Sequence, residues 1–307
     1  MKVEQAMKKK KRLIQKKLTS IQWTKGKVLA VVIAFVVTLA VIEVGVVVYK
    51  HYSMNHLIDM QQVEQQDASQ QYQQKQAVIK KRQDRIKSKI NDYIKAQQGA
   101  IGVSYYELNT QEGFDLNGNL QFSAGNMAAL PISLMVAGKV DQHQLSWNKA
   151  VGNGKATVNQ LMSAMIEQGS ADARQQLTQA VGGTEALIQY MKANDKKSDL
   201  VGQSGEMTMS PQMAVHYLMT IEENKDNKDS YKRIQAYMAK NRGRVGLLYT
   251  DKTAGEVEQV YAKTADDNLN VAGMVDGKHP FVIAIFTKDQ PKAKDCIEHI
   301  VNLAVDS

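Results

Sequence analysis

The feature that most constrains this chain is the run VLAVVIAFVVTLAVIEVGVVV, Val28 to Val48, with one charge in 21 residues, Glu43. At about 1.5 Å per residue a helix of this length covers roughly 30 Å, the thickness of a bilayer's hydrocarbon. A core helix of a soluble protein would carry a polar face, and this run has none. The spacing predicts a transmembrane segment over residues 28–49. The exit, Val47-Val48-Tyr49-Lys50-His51, lacks the small-x-small pattern of a cleavage site, so the segment is expected to stay as a signal anchor. Glu43 reads either as reaching for the outer headgroups or as touching a partner helix.

The net charge of +8 belongs to one end. Residues 1–27 hold ten Lys or Arg and one acid, Glu4, for +9, and the other 280 residues sum to −1. A basic tail before an apolar span predicts a cytoplasmic N-terminus, a single pass through the cell membrane and an outer C-terminal domain. The lipid bilayer is the partner this implies. A nucleic-acid-binding body would spread its charge over a folded face, so no nucleic-acid partner is expected. One cysteine, Cys296, excludes an intrachain disulfide and multi-cysteine metal sites. The six histidines show no metal-ligand spacing, and neither a metal nor a cofactor is expected.

Residues 50–77 are Gln-rich, without Pro or Gly and with few apolar side chains, which predicts a polar stalk of frayed helix. From residue 78 to 307 the pattern becomes that of a globular domain. Ile79, Ile86, Ile90, Tyr93 and Ile94 recur at helical spacing, and Gly99 closes that helix. Strands are expected at 100–108, to about Leu116, and at 259–263, 269–275 and 281–287. Helices dominate from Asn126 to about Asn241. Pro291 is expected to open a last amphipathic helix, with Cys296 as an inert thiol beside its apolar face. Strands at both ends of the domain must share one sheet, because neither set buries a face alone, so the fold class is α+β.

Several segments then fall in a recognisable order. They are Ile101 to Leu108; Phe122 to Pro131; Val158 to Ile166 followed by Ser170-Ala171-Asp172; Gly182-Gly183; Thr208-Met-Ser-Pro-Gln-Met-Ala214; and Lys263-Thr264-Ala265. Together they resemble the class A β-lactamase and penicillin-binding serine hydrolase superfamily. The resemblance implies an antiparallel sheet flanked by helices and an all-helical block. It also implies a reactive Ser with a Lys at i+3, where both side chains share a helical face.

Within the resemblance, Phe122 and Pro131 frame the reactive helix start, which puts Asn126 at the nucleophile position and Ala129 at the Lys position. Neither side chain supports acyl transfer. Ser170 retains the first residue of the family's Ser-Asp-Asn, while Ala171 and Asp172 depart from it. The segment from Gly183 to Thr208 is short, lacks the Glu-x-x-Leu-Asn pattern, and has Glu206 as the acid near its end. Lys263 and Thr264 match Lys-Thr-Gly, and Ala265 replaces its glycine. The resemblance therefore implies a catalytically degenerate member with no intact catalytic set. Its Ser170, Lys263, Thr264 and Ala265 are either fold remnants or the lining of a groove for a peptide or glycan carboxylate. A non-catalytic binding or scaffold protein at the cell wall, contacting wall peptide or wall-synthesis proteins, is the expected role. The alternatives are a serine hydrolase of altered activity through Ser123 or Ser170, and a sensor acting through the membrane helix.

Overall fold

A computed structural model describes residues 7, 10–12, 25–194, 206–241, 248, 250, 252–253, 257–265 and 267–306; the side chains at 25–29, 31, 52–70 and 261–265 lie outside the description. The chain divides into two compact units, Met1–Lys75 and Gln76–Ser307.

Helix α1 spans Lys25–Lys95. Within it, Val32–His51 has a mean hydropathy of 2.6 and is long and apolar enough to cross a membrane, with its side chains exposed. Residues 50–77, where a polar stalk of frayed helix is expected, are helical. Gln, Lys, Glu and Ala are good helix formers and no Pro or Gly interrupts them, so the helical backbone continues through the segment.

In the second unit the described strands of the main sheet are β1 (Ala100–Glu107), β2 (Glu112–Leu116), β7 (Val257–Ala265), β8 (Asn268–Val275) and β9 (Phe281–Lys288). They form one five-stranded sheet in the order β2-β1-β9-β8-β7, and every pair is antiparallel. The first and last strands of the unit meet at its centre, where Val103 faces Ile285 across β1 and β9.

Strand β9 shows why. Phe281, Ile283 and Ile285 enter one hydrophobic cluster, and the alternate Val282, Ala284 and Phe286 enter another. A strand apolar at both parities must be covered on both sides. One side is covered by Ile86 and Ile90 of α1 and by Cys296, Ile297, Ile300 and Val301 of the last helix, α8 (Ala293–Val305). That helix begins two residues after Pro291, later than expected.

The other side carries the helical block: α2 (Ala129–Asp141), α3 (Val158–Gln168), α4 (Ala171–Ala180), α5 (Gly183–Asn194), α6 (Pro211–Asn224) and α7 (Asp229–Lys240). Two-residue strands β3 (Phe122–Ser123) and β6 (Thr208–Met209) pair with each other, as do β4 (Ala150–Val151) and β5 (Ala156–Thr157). Helix α2 sits at the centre of the block, and Ala129, Ile132 and Val136 are fully buried.

Gly102 in β1 marks where the sheet and block press together. A Cβ there would lie 2.9 Å from Pro211 Cγ and 3.0 Å from Phe122 Cε2. Gly138, inside α2, has open space around the same position. Gly102→Ala is therefore expected to cost about 1–3 kcal/mol through overpacking. Gly138→Ala should stabilise by about 0.5–1 kcal/mol through helix propensity. Denaturant unfolding of the full chain in mild detergent checks both, and equal effects of the two substitutions would contradict the packing described.

Candidate functional site

The expected site lies where a 3-10 turn, Gly125–Ala128, leads into α2. Phe122 anchors the approach. It is buried and meets Phe286 of the sheet edge-on at 5.8 Å between ring centroids. The Asn270 side-chain amide donates to Ser123 O at 2.9 Å, and Ala124 N donates to Met207 O at 2.8 Å. The turn that follows packs on β7 and β8.

Asn126 is 7% exposed. Its Nδ2 donates to Met165 O at 3.3 Å, and its Oδ1 accepts from Arg174 Nη1 at 3.3 Å. The two partners fix the amide's orientation, because a carbonyl can only accept and a guanidinium can only donate. Ala129 is fully buried at the start of α2, and its carbonyl accepts from the Ser133 hydroxyl at 2.6 Å.

Ser170 has a helix-building position. Gly169 ends α3 in the left-handed conformation at φ 70°, a geometry that suits glycine. Ser170 then caps α4, its Oγ accepting from Ala173 N at 3.2 Å. Asp172 accepts from the Gln176 side chain at 2.7 Å on the exposed face of α4. Asn126 and Ser170 thus lie at the same α3–α4 junction: a Cβ on Gly169 would lie 3.8 Å from Asn126 Nδ2.

Lys263 and Ala265 lie on β7, the strand the 3-10 turn packs against, and the register shifts between them, leaving Thr264 as an extra residue. Such bulges re-aim side chains at sheet edges. The side chains of Lys263, Thr264 and Ala265 lie outside the described residues. Of the segment Gly183 to Thr208, residues 183–194 form α5 and residues 195–205 lie outside the described residues. Its end is described: Glu206 Oε2 accepts from the Ser123 hydroxyl at 3.1 Å. Among the described residues no group of three or more His, Cys, Asp or Glu is placed to hold a metal ion.

Arg174 was not legible as a site residue. A charge on a short helix usually faces water, and the available signal was only its spacing: Ser170, Arg174 and Thr178 fall at i, i+4 and i+8. Burial pushes its pKa down from the ordinary guanidinium value.

The model described as the Beta-lactamase enzyme family matches residues 85–307, and the chain belongs to that family. The fold is the β-lactamase-like α+β fold of a serine hydrolase family. The chain is similar to the β-lactamase VEB-1 of Pseudomonas aeruginosa, 21% identical over 131 residues. That match spans 36% of this chain and 44% of VEB-1, less than half of that relative's length. Among solved structures it is similar to PBP-A, with a TM-score of 0.63 at 15% identity over 72% of this chain and 94% of that one. A β-lactamase from Chitinophaga pinensis DSM 2588 gives 0.63 at 19% over 72% and 98%. At these identities the structures testify to the fold.

Cys296 tests which nucleophile-type groups are silent. It is 1% exposed, and burial raises its thiol pKa to about 11, opposed by a hydrogen bond with Tyr93. A raised folded pKa favours folding while the thiol stays protonated. That contribution is whole below the ordinary value of 9.0 and is lost as pH rises through about 11. Native protein at pH 8 is expected to leave Cys296 unmodified by an aromatic disulfide reagent, with one thiol titrating after denaturation. Rapid native modification would contradict this burial.

Proposed function

We propose that this chain is a membrane-tethered, non-acylating member of its family that acts as a binding or scaffold protein at the outer face of the cell membrane. The observation that carries the reading is Asn126, with Ala129 three residues on. In the frame set by Phe122 and Pro131 they stand at the places of the reactive Ser and its Lys. An amide has no ionisable hydroxyl, and a methyl group accepts no proton, so a covalent acyl intermediate has no route through these two positions. The hydrogen bonds of Asn126 to Met165 and Arg174 support a structural role for the position.

The tether rests on Val32–His51, whose exposed apolar side chains need lipid or protein cover, and on the basic residues before it. Its partners on this reading are the lipid bilayer and cell-wall peptide or wall-synthesis proteins, with Lys263 supplying the charge that attracts a carboxylate. Ser170 and Thr264 would line the same groove, beside Ala265.

One contact favours a second reading. The Ser123 hydroxyl donates to Glu206, a pairing in which a carboxylate could take a serine proton. That reading keeps a hydrolase of altered activity, with Ser123 as nucleophile.

Intact-mass measurement after incubation with a penicillin decides between them. The chain is expected to keep its unmodified mass and to show no turnover of a chromogenic β-lactam. A stoichiometric adduct, or turnover that Ser123→Ala abolishes, would overturn the non-acylating reading.

A further inference from the structure

A cavity of about 490 Å3 opens between the start of α2, α4, the beginning of α5 and residues 206–207. Arg174 lies in its wall, half-buried. Among the described residues, no Asp or Glu oxygen lies within ion-pair distance of its guanidinium, and the hydrogen bond found is to the neutral Asn126 Oδ1. Burial is the cause of its lowered pKa, with no carboxylate raising it. A charge taken out of water without a counter-charge is costly, and a guanidinium offers five N–H donors in a planar fork. The fork is therefore underused where it borders open space.

The rest of the described lining narrows the ligand. Ala128, Ile132, Leu187 and Met207 give the cavity an apolar surface. Glu206 lines it too, at an exposed position, and disfavours a ligand with more than one negative charge. Phosphate fits poorly by this criterion, and an aliphatic monocarboxylate fits well.

We propose that this cavity is a binding site for small organic monocarboxylates, with Arg174 clamping the carboxylate and the apolar wall taking a short aliphatic chain. Its described lining includes Ser123 and Glu206, the pair of the second reading, and does not include Ser170. It can fail without touching the acylation result.

Isothermal titration of the full chain in nanodiscs, against empty nanodiscs, tests it with hexanoate as probe and hexylamine and inorganic phosphate as comparators. Hexanoate is expected to bind with a Kd of about 1 mM or tighter, and the comparators to bind at least about tenfold more weakly. Arg174→Gln keeps a neutral donor and should weaken hexanoate about tenfold or more. Thr184→Trp, at an exposed rim position, should block binding while leaving the circular dichroism spectrum and unfolding midpoint unchanged. No hexanoate binding, equal binding by the Arg174 variant, unblocked binding in the Thr184 variant, or tighter binding of phosphate would each overturn the assignment.

Discussion

The side chain of Asn126 ties three parts of the helical block together. It stands on the turn that feeds α2, donates to the last turn of α3 and accepts from α4. In a buried position each of those contacts counts, since a polar group left without a partner costs about 1–3 kcal/mol. The same two bonds define what the residue is suited to do. An amide bonded at both ends holds an α3–α4 junction in place. A serine would be shorter, and would bring a hydroxyl where the amide now spans both partners.

Around this tie, local chemistry repeatedly favours order. Gly169 takes the left-handed conformation that ends α3, and Ser170 caps the helix that begins beside it. Thr157 and Gln160 form a reciprocal capping box at the start of α3, and Ser210 with Pro211 opens α6 in the same spirit. A serine that caps a helix is sufficiently explained by that role. The Ser170 hydroxyl therefore gives little independent evidence of retained chemistry.

Much of the fold could be read from the chain because its strands are distinctive. The run Phe281–Lys288 is apolar at both parities, and only a central strand buries both faces. The alternation of helix and strand signals likewise led to one shared sheet. Other parts left weaker traces. Strands β3 and β6 are two residues each, too short for any periodicity, and are held by pairing across the chain. Residues 50–77 are helical, as good helix formers without Pro or Gly allow. Of the candidate site, Asn126 and Ser170 were singled out from the spacing of Phe122, Pro131 and Ser170-Ala171-Asp172, and the two lie at one α3–α4 junction. Arg174 was hidden, because its importance arises from burial and from an Asn 48 residues away in sequence.

The fold is that of a serine hydrolase family, while the proposed reading gives Asn126, at the position expected to react, a structural role. A double-mutant cycle on Asn126→Ala and Arg174→Met, read by equilibrium unfolding of the full chain, tests that tie most directly. The account predicts a coupling of about 0.5–3 kcal/mol between the two side chains. Additivity within about 0.3 kcal/mol would contradict it, and would leave Asn126 without the structural role assigned to it.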